Sequence, residues 1–267
     1  MDWNNSLSFL QSIFPDGDAN YWNDVSIHPY RWNYPESVTG DYGTVRSYIS
    51  DYTSNNPPLI DTEWGYTSGW YDSSQGGPLS YNNAEILKGE FLARSLLLNM
   101  KNSVPLSIIY EWMDDSNDKT DPTGQANFGL VGTYTTRPTN FLPAYNAVDT
   151  MTSQLTGYTF ARRISTGVST DYIFKFTNGT NDVYACWTDL GPYGEYDTGS
   201  GNTVNIPIGS KVPVTVTTYD GGRVTKTTSG ANGYSCKETE GPQYVRKRRV
   251  LRNSLMPEAG GPRLNLH

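Results

Sequence analysis

Glu63 closes an apolar run and opens an aromatic one. In "PPLIDTEWGYTSGWY" (57–71) it follows Leu59 and Ile60 and stands directly before Trp64, with Tyr66 two positions on. Such a carboxylate can be a solvated strand end, part of a saccharide-binding groove, or one half of a glycosidase active site. Two other segments share its character: His28-Pro29-Tyr30-Arg31, and Tyr110-Glu111-Trp112-Met113-Asp114-Asp115. A carboxylate at a strand tip flanked by His, Tyr and Trp has what a nucleophilic carboxylate needs. It gets a fixed position, hydrogen-bond donors for the ionised form, and an aromatic floor for a sugar ring. Each residue also has a plainer reading: Glu63 as a capping carboxylate, His28 as a structural histidine, Trp112 as a core tryptophan. Alternation along the strand turns Glu111 away from the site. Glu36, Asp114 and Asp115 read as loop and rim groups.

The elements that must position these residues alternate in type. "DVSIHPY" (24–30), "PPLIDTEW" (57–64) and "VPLSIIYEW" (104–112) read as buried strands preceded by turn residues. "TGDYGTVRSYISDYT" (39–53) and "NNAEILKGEFLARSLLLNMKN" (82–102) read as the helices between them, and 138–155 as one more. A β–α–β–α–β order implies parallel strands with right-handed crossovers. In such sheets the ligand sits at the C-terminal strand ends, where His28, Glu63 and Tyr110 fall. They are 35 and 47 positions apart. A βα unit of an eight-fold barrel averages about 31 residues, so the spacing fits successive units with insertions.

The pattern changes near residue 155. "YTFARRIS", "DYIFKFTNG", "DVYACWTD", "NTVNIPIG", "PVTVTTYDG" and "RVTKTTSG" are period-two strands separated by Gly, Asn and Asp turns, the pattern of an antiparallel β-sandwich. Period two puts Tyr184 and Cys186 on one face of their strand and Val183, Ala185 and Trp187 on the other. Cys186 and Cys236 either pair, if the chain passes an oxidising compartment, or remain two buried thiols. Lacking a short CxxC spacing, they do not suggest zinc, and no metal or cofactor is expected. Asn4 and Asn178 open N-glycosylation triplets.

Composition excludes several classes. At 267 residues with 36% hydrophobic and 18% charged, the chain can bury a real core. No run approaches the roughly 18 apolar residues of a membrane span. The start "MDWNNSLSFL" lacks the regions of a signal peptide. Of the net charge of −7, residues 246–267 contribute six Arg/Lys against one Glu, leaving −12 on residues 1–245. That charge repels nucleic acid and anionic lipid, so neither is an expected partner. The basic run from Arg246 reads as a solvated, disordered tail. Nothing in the sequence specifies an oligomeric state.

"VSIHPYRWNYPES", "PLIDTEWGYTS" and "PLSIIYEWMDDSND…NFGLV" resemble, in order, the sixth, seventh and eighth strand regions of clan A retaining glycoside hydrolases. The likeness is closest to cellulase- and xylosidase-type enzymes, whose (β/α)8 barrel is followed by a small β domain, and it covers most of the chain to about residue 245. It implies an α/β plus all-β fold: residues 1–155 as the C-terminal part of an incomplete (β/α)8 barrel, 156–245 as the β-sandwich, and 246–267 as the tail. It also implies hydrolysis of O-glycosidic bonds in a β-linked polysaccharide or glycoside, and a secreted full-length form. Glu63 takes the place of the nucleophile; His28, Tyr30, Trp64, Tyr66 and Trp112 take substrate-contacting places, Trp112 as the stacking platform. The family's acid/base is a Glu after an Asn at the end of the fourth strand, and no Asn-Glu pair occurs in this sequence. The resemblance thus implies a fragment without strands one to five, with Val25, Ile27, Leu59 and Ile108 facing inward and short of partners. The alternative is a non-catalytic carbohydrate-binding remnant.

Overall fold

Three short strands form the parallel sheet that the β–α–β–α–β order requires. The computed structural model describes residues 3–73, 77, 79–116, 125–133, 140–189 and 201–248. Strands β1 (Val25–Ile27), β2 (Leu59–Trp64) and β3 (Ser107–Ile109) lie side by side in that order, all parallel. Helix α1 (Trp3–Ile13) precedes β1, while α2 (Val38–Tyr52) and α3 (Tyr81–Lys101) make the crossovers; α4 (Pro143–Leu155) follows β3. α4 begins at Pro143, whose fixed φ suits a first helical position; positions 138 and 139 of the expected helix lie outside the described residues.

The faces of this sheet are the reverse of the expectation. Val25, Ile27 and Leu59 are buried against the helices, in one cluster with Val45, Ile49, Leu97 and Leu98. The other face carries Ser26 and Ile108, both exposed, and Thr62. An apolar strand residue follows whichever face has a packed layer, and here that layer is α2 and α3. α3 is buried almost all round, which is why its apolar residues show no single stripe. Gly89 lets α4 approach closely, because a Cβ there would stand 2.9 Å from the Pro143 backbone.

Beyond α4 the chain builds an antiparallel sheet in the order β4 (Thr159–Ile164), β5 (Asp171–Thr177), β6 (Asp182–Thr188), β11 (Gln243–Lys247), β8 (Pro213–Thr217) and β9 (Val224–Thr228). A two-stranded ribbon pairs β10 (Tyr234–Lys237) with β7 (Thr203–Ile206). β10 and β11 are absent from the sequence reading, since each offers only four or five residues of pattern. β11 runs through Arg246 and Lys247, so the basic run starts inside the sheet; residues 249–267 lie outside the described residues.

Period two separates the faces of β6 as expected. Tyr184 and Cys186 pack with Val204, Ile206 and Cys236 of the ribbon, and a Cys186–Cys236 disulfide joins the two layers. Val183, Ala185 and Trp187 face the helices and join the cluster that holds Val25 and Leu59. One hydrophobic core therefore runs across residue 155. A buried ion pair crosses the same seam. The Arg94 guanidinium on α3 donates to Glu36 at 2.9 and 2.5 Å, and the Trp187 indole N–H donates to Glu36 at 2.7 Å. Asp189 lies 3.5 Å from Arg94. Glu36 is thus a buried anchor rather than a rim group.

Candidate active site

Every expected site residue except Trp112 lies on β2 or on the segments that follow β1 and β2. The β2–β3 register shifts between Asp61 and Trp64. The pleat is broken across the stretch of β2 that carries Glu63. Glu63 is partly exposed, and the Tyr30 hydroxyl donates to its Oε1 at 2.9 Å. His28 Nδ1 lies 3.8 Å from the other oxygen, Oε2, while His28 Nε2 is 3.1 Å from the Thr62 hydroxyl. Thr62 in turn shares a 2.5 Å hydrogen bond with Ser26 of β1. Burial, and then the hydrogen bond to Glu63, push the Tyr30 hydroxyl well above the ordinary tyrosine range, so Tyr30 stays a donor. The segment after β1 thus holds the carboxylate near the end of β2 at both of its oxygens.

A second carboxylate lies beneath, on the helix side. Asp61 is fully buried and accepts from the Asn99 amide at 2.8 Å; Asn99 also donates to Ser107 and accepts from the Tyr42 hydroxyl at 2.7 Å. Burial raises the Asp61 pKa to about 7; the Asn99 bond and the Glu63 backbone N–H oppose that shift, and the Glu63 charge adds to it.

The aromatic residues divide into core and surface. Trp64 and Tyr66 are 2% and 1% exposed, so neither ring is open to a sugar, contrary to the expectation. The cause is the helix layer: Tyr66 packs edge-on against Phe91 of α3, and the Arg31 guanidinium lies 5.7 Å from the Trp64 ring centre. Trp112 is 48% exposed, with its ring edge-on to Tyr145 of α4. Gly65 permits the close approach of the second and third strand ends, since a Cβ there would fall 1.8 Å from the Tyr110 carbonyl oxygen. Glu111 has Asp115, Asp114 and Lys88 as electrostatic neighbours, and burial first among these causes raises its pKa to about 7. Asp114 is buried and accepts from the Gly129 N–H at 2.8 Å, so it is a loop anchor rather than a rim group.

Three residues of this region escaped the sequence reading. Phe128 packs edge-on against Tyr30, Tyr110 and Trp70 at 5.9, 5.3 and 5.6 Å. Trp70 stacks on Trp32 at 4.7 Å with 19° between the rings. The Trp-rich composition was the available signal; its convergence depends on loop paths that periodicity does not encode. Among the described residues, no group of three His, Cys, Asp or Glu side chains could hold a metal ion, and no helix is long and apolar enough to cross a membrane.

No family model and no curated protein matches the chain. Solved structures do. A family 39 glycoside hydrolase from the gut symbiont Bacteroides cellulosilyticus WH2 aligns with a TM-score of 0.69 at 19% identity, covering 90% of this chain and 47% of its own. A glucosidase from Croceicoccus marinus aligns at 0.53 and 13%, covering 91% and 56%. A β-porphyranase of glycoside hydrolase family 86 from the human gut bacterium Bacteroides plebeius aligns at 0.50 and 14%, covering 90% and 44%. The chain spans about half the length of these structures. At these identities the likeness is one of fold: a mixed α/β structure similar to those of glycoside hydrolases.

Proposed function

We propose that this chain is the nucleophile-bearing part of a retaining glycoside hydrolase acting on a β-linked polysaccharide or glycoside, with Glu63 as the nucleophile. The observation that carries this reading is the grip on Glu63 at the C-terminal ends of two parallel strands: Tyr30 donates to one oxygen and His28 flanks the other. A retaining reaction needs one carboxylate fixed against the anomeric carbon. In the first step Glu63 bonds to that carbon as the bond to the leaving oxygen breaks; water then releases the sugar. Trp112 supplies an exposed ring beside the third strand end. Trp64 and Tyr66 contribute by holding the strand end from below. Residues 1–155 are read as the last βα units of a (β/α)8 barrel, followed by a β-sandwich. The disulfide and an exported protein from Bacteroides fragilis among the structural neighbours (TM-score 0.50, 13% identity) support a secreted protein.

The leaving oxygen of an ordinary glycoside also needs a proton. Among the described residues, the side chains within hydrogen-bond or ion-pair reach of Glu63 are Tyr30 and His28, neither of them a carboxylic acid. Asp61 shares the strand, but its carboxylate is bonded to Asn99 on the helix side. The 267-residue chain alone is therefore expected to leave unactivated glycosides intact. It should still release dinitrophenolate, which departs without a proton, from a dinitrophenyl β-glycoside. Glu63→Gln should abolish that release. Robust hydrolysis of unactivated glycosides that survives Glu63→Gln would overturn the reading. Sugar binding without any release would favour the non-catalytic carbohydrate-binding remnant.

A further inference from the structure

Trp32 is 69% exposed although tryptophan carries one of the largest apolar surfaces of any side chain. It is not a loose side chain. One ring face is stacked on Trp70, its carbonyl accepts from the Tyr71 hydroxyl at 2.9 Å, and the next carbonyl, of Asn33, accepts from Tyr66 at 3.2 Å. The preceding Arg31 is pinned by Pro29, Ser37 and Asp41. A rigidly held indole with one face covered by a second indole and the other open to solvent is a preorganised platform. Its place matters as much as its shape. Trp32 follows Tyr30 by two residues, and Trp70 touches Phe128, which touches Tyr30, the donor to Glu63. An unbroken run of rings therefore leads from the carboxylate out to the platform.

The charges along this run select among sugars. Glu63 is partly exposed, and Asp115 is exposed at the third strand end. Two neighbouring cations among the described residues are committed inside the protein: Arg31 to Asp41, and Lys88 to Glu85 and the carbonyls of Asn127 and Gly129. Among the described residues, the side-chain hydrogen bonds and ion pairs of Glu63, Tyr30 and His28 involve no arginine or lysine. Among the described residues, a uronate or sulfate laid here would meet the carboxylates of Glu63 and Asp115 with no cation set against them.

The geometry points to a distal sugar-binding subsite on the Trp32–Trp70 stack, which takes a further unit of a neutral, β-linked glycan chain whose nearer end lies at Glu63. This inference rests on the proposed glycoside site and adds to it the class of substrate: an uncharged chain of several sugars rather than a single glycoside.

Binding of the full chain to neutral β-linked oligosaccharides of the cello-, laminari- and xylo- series, from two to six units, tests this by calorimetry. Wild type should bind the hexasaccharide of at least one series about tenfold more tightly than its disaccharide, the scale of one added aromatic contact. Trp32→Ala should erase that length increment while leaving disaccharide affinity within about twofold. Trp32→Tyr, which keeps a ring, should restore part of it. Glu63→Gln should retain the length dependence, which separates this subsite from the catalytic reading: failure of Glu63 chemistry with Trp32-dependent binding intact sinks only the latter. The inference is overturned if wild type binds none of the series, if Trp32→Ala keeps the wild-type increment, or if a polyuronate or sulfated galactan binds more tightly than every neutral chain.

Discussion

The two sheets of this molecule are covered differently. The six-stranded antiparallel sheet is packed on both faces: Val183, Ala185 and Trp187 meet the helices, while Tyr184 and Cys186 meet the two-stranded ribbon. The three-stranded parallel sheet is sealed on one face only. Val25, Ile27, Leu59 and Asp61 are buried against the helix layer; Ser26, Thr62 and Ile108 lie on the open face, and the strands end in His28 and Glu63. Covered faces supply stability, and the polar groups that could do chemistry gather where the fold leaves a face uncovered. Substitutions should therefore separate cleanly by sheet and by face.

The largest effect is expected at the seam between the sheets. Arg94 is fully buried and carries Glu36, which also takes the Trp187 indole hydrogen bond. Arg94→Ala strands a buried carboxylate and should cost about 3–5 kcal/mol in denaturant unfolding. A loss below about 1 kcal/mol, the scale of a surface pair, would mean the seam is wet.

Asp61 should give a smaller, pH-dependent effect. Its folded pKa of about 7 lies above the ordinary value of 3.8, so the folded state holds this proton more tightly than the unfolded chain. Stability is therefore lost as pH rises from about 4 to about 7, and the loss is complete above that. Glu111, also raised to about 7, and Glu238, raised to about 9 by burial, act with the same sign. Asp61→Asn should flatten part of this slope, an effect of order 2 kcal/mol between pH 5 and 8. Melting temperatures across that range measure it, and an unchanged slope would remove Asp61 from the account.

The smallest effect tests the open face directly. Ile108 is 48% exposed, so Ile108→Ser should change unfolding stability by less than about 0.5 kcal/mol. Leu59→Ala on the sealed face should cost about 2–5 kcal/mol in the same assay. Equal losses at the two positions would contradict the one-sided sheet.

Much of this arrangement is legible in the sequence, because short apolar runs and helical spacing are local signals. The strands ending at His28, Glu63 and Tyr110 and the split faces of β6 follow from period and turn residues alone. The orientation of the parallel sheet does not. Val25, Ile27 and Leu59 alternate correctly, but alternation cannot say which side carries the helices. Burial of Trp64 and Tyr66 was hidden for the same reason, since an aromatic after a strand reads alike as floor or as core. The Glu36–Arg94–Trp187 cluster joins residues 58 and 151 positions apart, beyond the reach of any local pattern.

The central claim is that Glu63 is the nucleophile, and covalent capture tests it most directly. Incubating the chain with 2-deoxy-2-fluoro β-glycosyl dinitrophenolates should add one sugar, because the activated leaving group departs without a proton donor while the fluorine slows release. Peptide mass spectrometry should place that sugar on Glu63, and Glu63→Gln should take up none. A sugar attached to Asp61, Glu111 or any other carboxylate, with Glu63 unmodified, would contradict the account.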